Sequence, residues 1–362
     1  MGGEKTVKFS AGIGGRTKAV YATDVEEGNP IVNNRERVTW EQGDGVRVFC
    51  EKAQVAVPSK ALLPNTADYY VMWDGAMNGT NNERSDSMIE ACDGKGFYWG
   101  DAENPYIFYA VSPKADIVND GSNVMLNGCT VPQTQSYARI SEIEPATEGK
   151  PSSYIAVADL SPEYMVAKEP NVSKSSKYVE LHFYPIVTAI QFILYNGFDS
   201  DNDLVIKEVS LSSETYDLYG TFNANLSGWS VSGTTFPHCT QDGSKDSGKT
   251  VSIRFNDNVI LKKSGTDAGY LQLTFFLLPI TDVDDLTLTI KRENKDGVEE
   301  VQWTKLAYYH HPAHEDFEGI EFPCHRKSYV TGIMVPEGIR LYVEEDVTVR
   351  PLEAAVKQKI RF

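Results

Sequence analysis

Several features that define common protein classes are missing from this 362-residue sequence. No apolar run approaches the roughly 18 residues that a membrane-spanning helix needs; the longest, residues 271–280, is interrupted by Pro279. The five cysteines are scattered without a Cys-x-x-Cys pair, which indicates neither a zinc ribbon nor a disulfide framework. Segments of helical periodicity are few and short, at residues 87–92, 162–168 and 353–357. These absences argue against a membrane span, a stapled mini-protein and a helical fold.

Basic residues are scarce relative to acidic ones. The chain has 34 Lys and Arg against 51 Asp and Glu, which gives a formal net charge of −17. A protein that binds nucleic acid needs clustered cations to displace the counterions of the phosphate backbone. We therefore expect no nucleic-acid partner, and the negative charge is typical of a soluble secreted or surface protein.

Most of the chain alternates between apolar and polar residues over strand-length runs that turn residues separate. This pattern predicts an all-β protein of two tandem antiparallel β-sandwich domains. A polar stretch at residues 169–177 is the best candidate for a linker. It places the predicted domains at residues 1–176 and 177–362. The runs that carry this prediction are residues 106–111, 179–183, 189–194, 204–211, 286–290 and 340–343.

The first run of the chain carries the most specific prediction. Residues 7–13 place Val7, Phe9, Ala11 and Ile13 on one face of a half-buried edge strand. A Gly-Gly pair and two basic residues follow at positions 14–18, in a flexible kind of sequence that proteases can reach. A sandwich that loses an edge strand exposes a groove, which the strand of another chain can fill.

Three motifs suggest ligand chemistry, and each has a simpler interpretation. Residues 243–250 spell a Walker A sequence, but residues 251–255 alternate as a strand where a phosphate loop needs a helix. Residues 199–203 resemble the start of a calcium loop, yet the sixth position is Leu204 where glycine is needed. His310, His311 and His314 could bind zinc, although Pro312 prevents a regular helix from aligning them. We expect surface loops at all three places, with no cofactor, no metal and no catalytic residue.

Five tryptophans could fill cores or stack on sugars. Trp73 and Trp99 lie beside Gly- and Asn-rich segments, so we expect these two to be the exposed pair. A monomeric protein that binds a host or microbial glycan or protein through such rings is the alternative function.

Taken together, the segments resemble the fimbrillin family of Bacteroidetes, which comprises type V pilus subunits and related surface adhesins. Each piece is short, and their succession through nearly the whole chain makes the resemblance specific. The pieces are a Thr-Lys-Ala element at 17–19, Trp-x-x-Gly-Asp at 40–44, Phe-Tyr-Ala-Val-x-Pro at 108–113, the strand at 179–183, Gly-Thr-Phe at 220–222 and Phe-Leu-Leu-Pro at 276–279.

The resemblance implies two transthyretin-like β-sandwiches at the outer membrane surface or in an extracellular fimbrium. It implies export as a lipoprotein, so the membrane is a partner only through a lipid anchor, on a cysteine upstream of this sequence. It also implies cleavage after a basic residue, Arg16 or Lys18, that releases the first strand and lets fimbrillin-like subunits polymerise by strand exchange. Residues 357–362 could be a donor strand or the last strand of the second sandwich.

Overall fold

The structure is a computed structural model that describes residues 6–13, 20–23, 36–40, 42–55, 65–72, 86–143, 151, 153–198, 203–229, 237–242, 246–264, 267–279, 285–294, 296–306 and 327–344. The regular structure in these ranges is almost entirely β-strand, with a one-turn 3-10 helix at Cys92–Gly94. The all-β prediction is confirmed. In this part of the chain we find no helix with the length and apolar character of a membrane span.

The described residues form twenty-eight strands, numbered here in chain order. The first fourteen are β1 Phe9–Ile13, β2 Val20–Thr23, β3 Glu36–Thr39, β4 Gly45–Phe49, β5 Gln54–Val55, β6 Thr66–Met72, β7 Asp86–Ala91, β8 Phe97–Tyr98, β9 Tyr106–Ser112, β10 Asp116–Asn119, β11 Val124–Val131, β12 Thr134–Gln135, β13 Tyr137–Ile143 and β14 Ser153–Ala158. The others are β15 Met165–Val172, β16 Val179–Pro185, β17 Thr188–Asn196, β18 Leu204–Ser212, β19 Gly220–Asn225, β20 His238–Gln241, β21 Thr250–Leu261, β22 Lys263–Ser264, β23 Asp267–Ala268, β24 Tyr270–Leu277, β25 Thr287–Glu293, β26 Glu299–Lys305, β27 Lys327–Val335 and β28 Gly338–Glu344.

Seven strands close into a barrel in the order β1-β16-β15-β9-β4-β6-β7. Their apolar residues alternate with polar ones, so each strand sends one row of side chains into the barrel and the other row outward. The interior is rich in aromatic rings. All neighbouring pairs in the barrel are antiparallel except β1 and β16, which run parallel.

A five-stranded sheet, β12-β21-β18-β25-β26, faces a six-stranded sheet, β13-β14-β24-β17-β27-β28. Their facing sides share one core of aliphatic and aromatic residues, which makes this part of the molecule a β-sandwich. β17 and β24 read as nearly continuous apolar runs because they lie in the middle of the six-stranded sheet and are covered on both faces.

A third core lies between the barrel, the six-stranded sheet and a four-stranded sheet, β10-β11-β19-β20. The barrel contributes Tyr109 and Val166 from its outer face, the four-stranded sheet contributes Leu126 and Phe222, and the six-stranded sheet contributes Phe276. This layer joins the barrel to the sandwich through buried apolar contacts.

Strand pairing crosses the predicted domain boundary in both directions. β16 follows residue 176 but pairs with β15 and β1 in the barrel. Conversely, β10 to β14 precede the boundary, and β11, β12 and β14 pair with strands of the second half. The division into 1–176 and 177–362 stays a prediction, as does the transthyretin-like assignment.

Two predicted helical segments are strands in the structure, so those predictions are wrong. Residues 87–91 fall in β7, where Ile89 is buried and pairs with Phe9 and Val71 on its two sides, and Cys92 begins the 3-10 helix. Residues 162–168 form a turn and the start of β15. In both segments the barrel supplies cross-strand partners that outweigh a short helical periodicity.

Candidate strand-exchange site

The N-terminal strand β1 fills the barrel interior with alternate side chains. Val7, just before the strand, is buried, and Phe9 and Ala11 are fully buried. Ser10, between them, is half-buried on the other face. The backbone of Ile13 pairs with Phe183, and its side chain lies outside what the structure describes.

Both edges of β1 are hydrogen-bonded to neighbouring strands. On one side it pairs antiparallel with β7, and on the other it pairs parallel with β16. Two further bonds hold the residues just before β1, one to β8 and one to β16. The Val7 N–H donates to the Phe97 carbonyl at 2.9 Å, and the Lys8 carbonyl accepts from the Val179 N–H at 2.9 Å.

β1 is therefore not an edge strand, which differs from the sequence-based expectation. The alternation of residues 7–13 shows which face is buried but carries no information about how many neighbours the strand has. β7 and β16 come from segments about 80 and 170 residues further along the chain, by the register Phe9 to Ile89 and Phe9 to Val179. β1 is the strand that closes the barrel between them.

Phe9 lies at the centre of an aromatic cluster. Its ring centroid is 5.0 Å from that of Tyr69, 5.1 Å from Phe108 and 6.4 Å from Phe97, all in edge-to-face arrangements. Such edge-to-face contacts stabilise the folded state by more than the burial of their apolar area alone. The cluster makes the Phe9 position the main apolar anchor of β1.

A buried hydrogen bond organises the rings around Phe9. The Tyr69 hydroxyl accepts a hydrogen bond from the Phe97 N–H at 2.8 Å. Burial raises the pKa of Tyr69 well above its ordinary value, because an ionised phenolate would lose its hydration there. The hydroxyl stays neutral and fixes β8 against β6 at physiological pH.

These contacts define what the loss of β1 would expose. One continuous groove would open between β7 and β16, with unpaired backbone groups along both walls and an aromatic floor from Tyr69, Phe97 and Phe108. Unpaired strand edges beside an apolar surface bind another strand readily. The site is suited to strand insertion.

Several predicted site residues lie outside the described residues. These are the cleavage candidates Arg16 and Lys18, the aromatic Trp73, the histidines at 310, 311 and 314, most of the calcium-like segment 199–203, and residues 357–362. For the Walker A-like sequence, residues 246–250 are described, and the strand predicted at residues 251–255 lies within β21.

Of the two tryptophans predicted to be exposed, Trp99 is the one that the structure describes. Trp99 is only half-exposed, and its ring packs edge-to-face on Tyr106 at 5.1 Å and on Phe108 at 6.0 Å. Trp303, on β26, is instead 60% exposed. The local sequence carries no signal for this exposure, since the alternation of Val301 and Trp303 with polar residues predicts that the two apolar side chains are buried.

Four described cysteines, Cys50, Cys92, Cys129 and Cys239, form no disulfide. Two of them, Cys50 and Cys129, are fully buried, and burial raises the pKa of both thiols. They behave as small apolar core residues of the barrel and of the third core.

Comparison with known proteins places the chain among fimbrillins. No curated protein matches it. Similar solved structures include a candidate cell adhesion protein from Bacteroides uniformis, with 14% identity, 94% of this chain and 97% of that chain covered, and a TM-score of 0.47. A fimbrial protein from Bacteroides vulgatus shows 10% identity, coverage of 84% and 92%, and a TM-score of 0.34. The model of the fimbrillin-like family matches residues 31–309, and this protein belongs to that family.

Proposed function

We propose that this protein is a non-enzymatic subunit of a cell-surface fimbrium, or a fimbrillin-like adhesin at the outer membrane surface, and that it joins other subunits by strand exchange. Membership of the fimbrillin-like family supports the surface role. The observation that carries the mechanism is the position of β1, which is paired on both sides and anchors its core face in the barrel.

The energetics of β1 suit a replaceable strand. Burial of Val7 and Phe9 together is worth about 3–6 kcal/mol, and β1 adds the hydrogen bonds along β7 and β16. A subunit that lost β1 would lose both the burial energy and these hydrogen bonds. An incoming strand with apolar residues at alternate positions would recover both.

The geometry also sets the direction of the incoming strand. It would run parallel to β16 and antiparallel to β7, as β1 does. A large apolar residue would occupy the Phe9 position. Release of β1 requires one cut between Ile13, where β1 ends, and Val20, where β2 begins, and Arg16 and Lys18 are the basic residues in this interval.

Glycan binding through the predicted rings is not part of the proposal. Trp99, the described member of the pair, uses its ring to pack on Tyr106 and Phe108. The proposed partners are other fimbrillin-like subunits. The proposed contact with the membrane is through a lipid anchor.

Limited proteolysis tests the release step. We expect an Arg- or Lys-specific protease to cut after Arg16 or Lys18, as N-terminal sequencing of the product would show, and we expect light scattering to detect oligomers after the cut. The variants Arg16→Ala and Lys18→Ala separate the two candidates, because only the variant at the true site resists the matching protease.

A disulfide between β1 and β7 tests whether β1 must leave the barrel before oligomers form. Ser10 and Met88 are direct partners across β1 and β7 and are both half-exposed, which suits a cross-strand disulfide. After the cut, the oxidised variant with Ser10→Cys and Met88→Cys should stay monomeric, and reduction should restore oligomers. Oligomers that form equally in the oxidised lock, or a cut protein that remains monomeric after reduction, would contradict strand exchange. Ser10→Cys alone is the control.

A further inference from the structure

Strand β26 ends the five-stranded sheet and has an unusual surface. It pairs with β25 on one side, and no described strand pairs with its other side. Val301 and Trp303 are 54% and 60% exposed, the latter being the most exposed large apolar side chain in the described part of the chain. Exposed apolar residues on an unpaired edge are a recurrent basis for strand pairing between chains.

The hydrogen bonds to β25 fix which backbone groups of β26 face its open edge. The Asn294 N–H donates to the Val298 carbonyl and the Leu306 N–H donates to the Leu286 carbonyl, at the two ends of the ladder. In an antiparallel pair the bonded residues alternate. The N–H and C=O groups of residues 300, 302 and 304 therefore point to β25, and those of residues 299, 301, 303 and 305 point to the open edge.

The same four residues share the outer face of the sheet, and their sequence is self-complementary. In order they are Glu299, Val301, Trp303 and Lys305. In an antiparallel pair of two β26 strands centred on Gln302, Glu299 of each copy lies opposite Lys305 of the other. Val301 likewise lies opposite Trp303 of the other copy. Opposite charges and aromatic or β-branched neighbours are the favourable cross-strand pairs.

The residue at the centre of this register, Gln302, lies on the inner face of the sheet. Gln302 is 92% buried, since 8% of it is exposed. Its Nε2 donates to the Val335 carbonyl at 2.7 Å, while its Oε1 has no hydrogen-bond partner among the described residues. Gln302 therefore marks the axis of the centred register and keeps its hydrogen bond inside its own sandwich.

We propose that β26 is a self-association surface, where a second copy of this chain pairs antiparallel about a two-fold axis through Gln302. The pairing joins the two five-stranded sheets into one continuous sheet of ten strands. It is isologous, as in most symmetric dimers. It uses a different sheet from β1 and needs no cleavage, so it is independent of strand exchange.

Charge reversal tests the register. Sedimentation of uncut protein up to about 1 mM should show a monomer–dimer equilibrium, since one strand pair forms a small interface. Glu299→Lys alone and Lys305→Glu alone should each weaken the dimer about tenfold or more, because each places two like-charged pairs across the axis. An equimolar mixture of the two variants should associate as tightly as the wild type, because the heterodimer again has opposite charges at both pairs.

The controls separate pairing from local effects. Lys305 also contacts Glu214 at 3.6 Å within its own chain, so Glu214→Gln removes that contact without changing β26 and should leave the dimer unchanged. Trp303→Lys should abolish the dimer, whereas Ile107→Lys, at an exposed position of β9, which pairs with a strand on each side, should not. A wild-type chain that is monomeric up to about 1 mM, or a mixture no tighter than its components, would overturn the proposal; either result would follow if another segment of the chain covered this edge.

Discussion

At the scale of single residues, Tyr69 should make the stability of the barrel depend on pH. Its hydroxyl is buried and accepts the Phe97 N–H. Since burial raises the pKa of Tyr69 in the folded protein, the unfolded chain loses this proton first, at a pH of about 10. The contribution of Tyr69 to stability is complete below that pH and declines as the pH rises above it.

Tyr69→Phe should show this dependence. At pH 7 the variant should be less stable by about 1–3 kcal/mol, because the Phe97 N–H loses its acceptor in the core. Above pH 10 the difference from the wild type should shrink, since Phe cannot ionise. Urea denaturation between pH 7 and 11 measures it, with Tyr178→Phe, at a 37% exposed ring, as the control. A difference that stays constant with pH would contradict the assignment.

The exposure of individual tryptophans was only partly predictable from the sequence. The Trp-x-x-Gly-Asp segment placed Trp40 at a strand entry, and Trp40 is buried against Phe183 at 5.2 Å. In contrast, the sequence predicts an exposed Trp99, which is half-buried, whereas Trp303 is exposed. The difference depends on Tyr106 and Phe108, which the fold brings to Trp99 and which no local pattern shows.

At the scale of elements, β1 should behave as an exchangeable ligand of the barrel. In full-length protein cut between β1 and β2, a labelled peptide of residues 6–13 should enter the groove between β7 and β16. The same peptide with Phe9→Ala should bind about 100-fold more weakly or worse, because loss of a buried Phe from a packed core costs about 3–5 kcal/mol.

The peptide with Ser10→Ala is the matched control, because Ser10 lies on the other face and is half-exposed. It should bind within about threefold of the native peptide, which is a difference of under 1 kcal/mol. Fluorescence anisotropy reports all three affinities. Equal binding of the Phe9→Ala and native peptides would show that the peptide does not occupy the groove of β1.

The elements themselves were largely predictable, and their partners were not. Alternation indicated β1, β16 and β18 from the sequence, and runs rich in β-branched and aromatic residues indicated β9 and β17. It could not indicate that β1 has two neighbours or that β16 belongs to the barrel. Those facts depend on pairing between segments far apart in the chain, which leaves no local signature.

At the scale of the whole molecule, the third core should make the barrel and the sandwich unfold together. Phe222 is central to it: the residue is fully buried on β19, and its ring packs edge-to-face on Tyr164 at 5.9 Å, just before β15 of the barrel. Tyr164 in turn accepts a hydrogen bond from the Thr130 N–H of β11 at 3.3 Å. Contacts of this kind transmit cooperativity because neither side can unfold without exposing the shared apolar surface.

We therefore expect one calorimetric transition for the wild type and two for Phe222→Ala, which should lose about 3–5 kcal/mol of stability. Phe192→Ala is the control: Phe192 is equally buried but lies in the core of the sandwich, against Phe275 at 6.1 Å. It should lower the unfolding temperature without separating the transitions, because the third core stays intact. Two transitions in the wild type would show that the barrel and the sandwich are energetically independent despite their shared core.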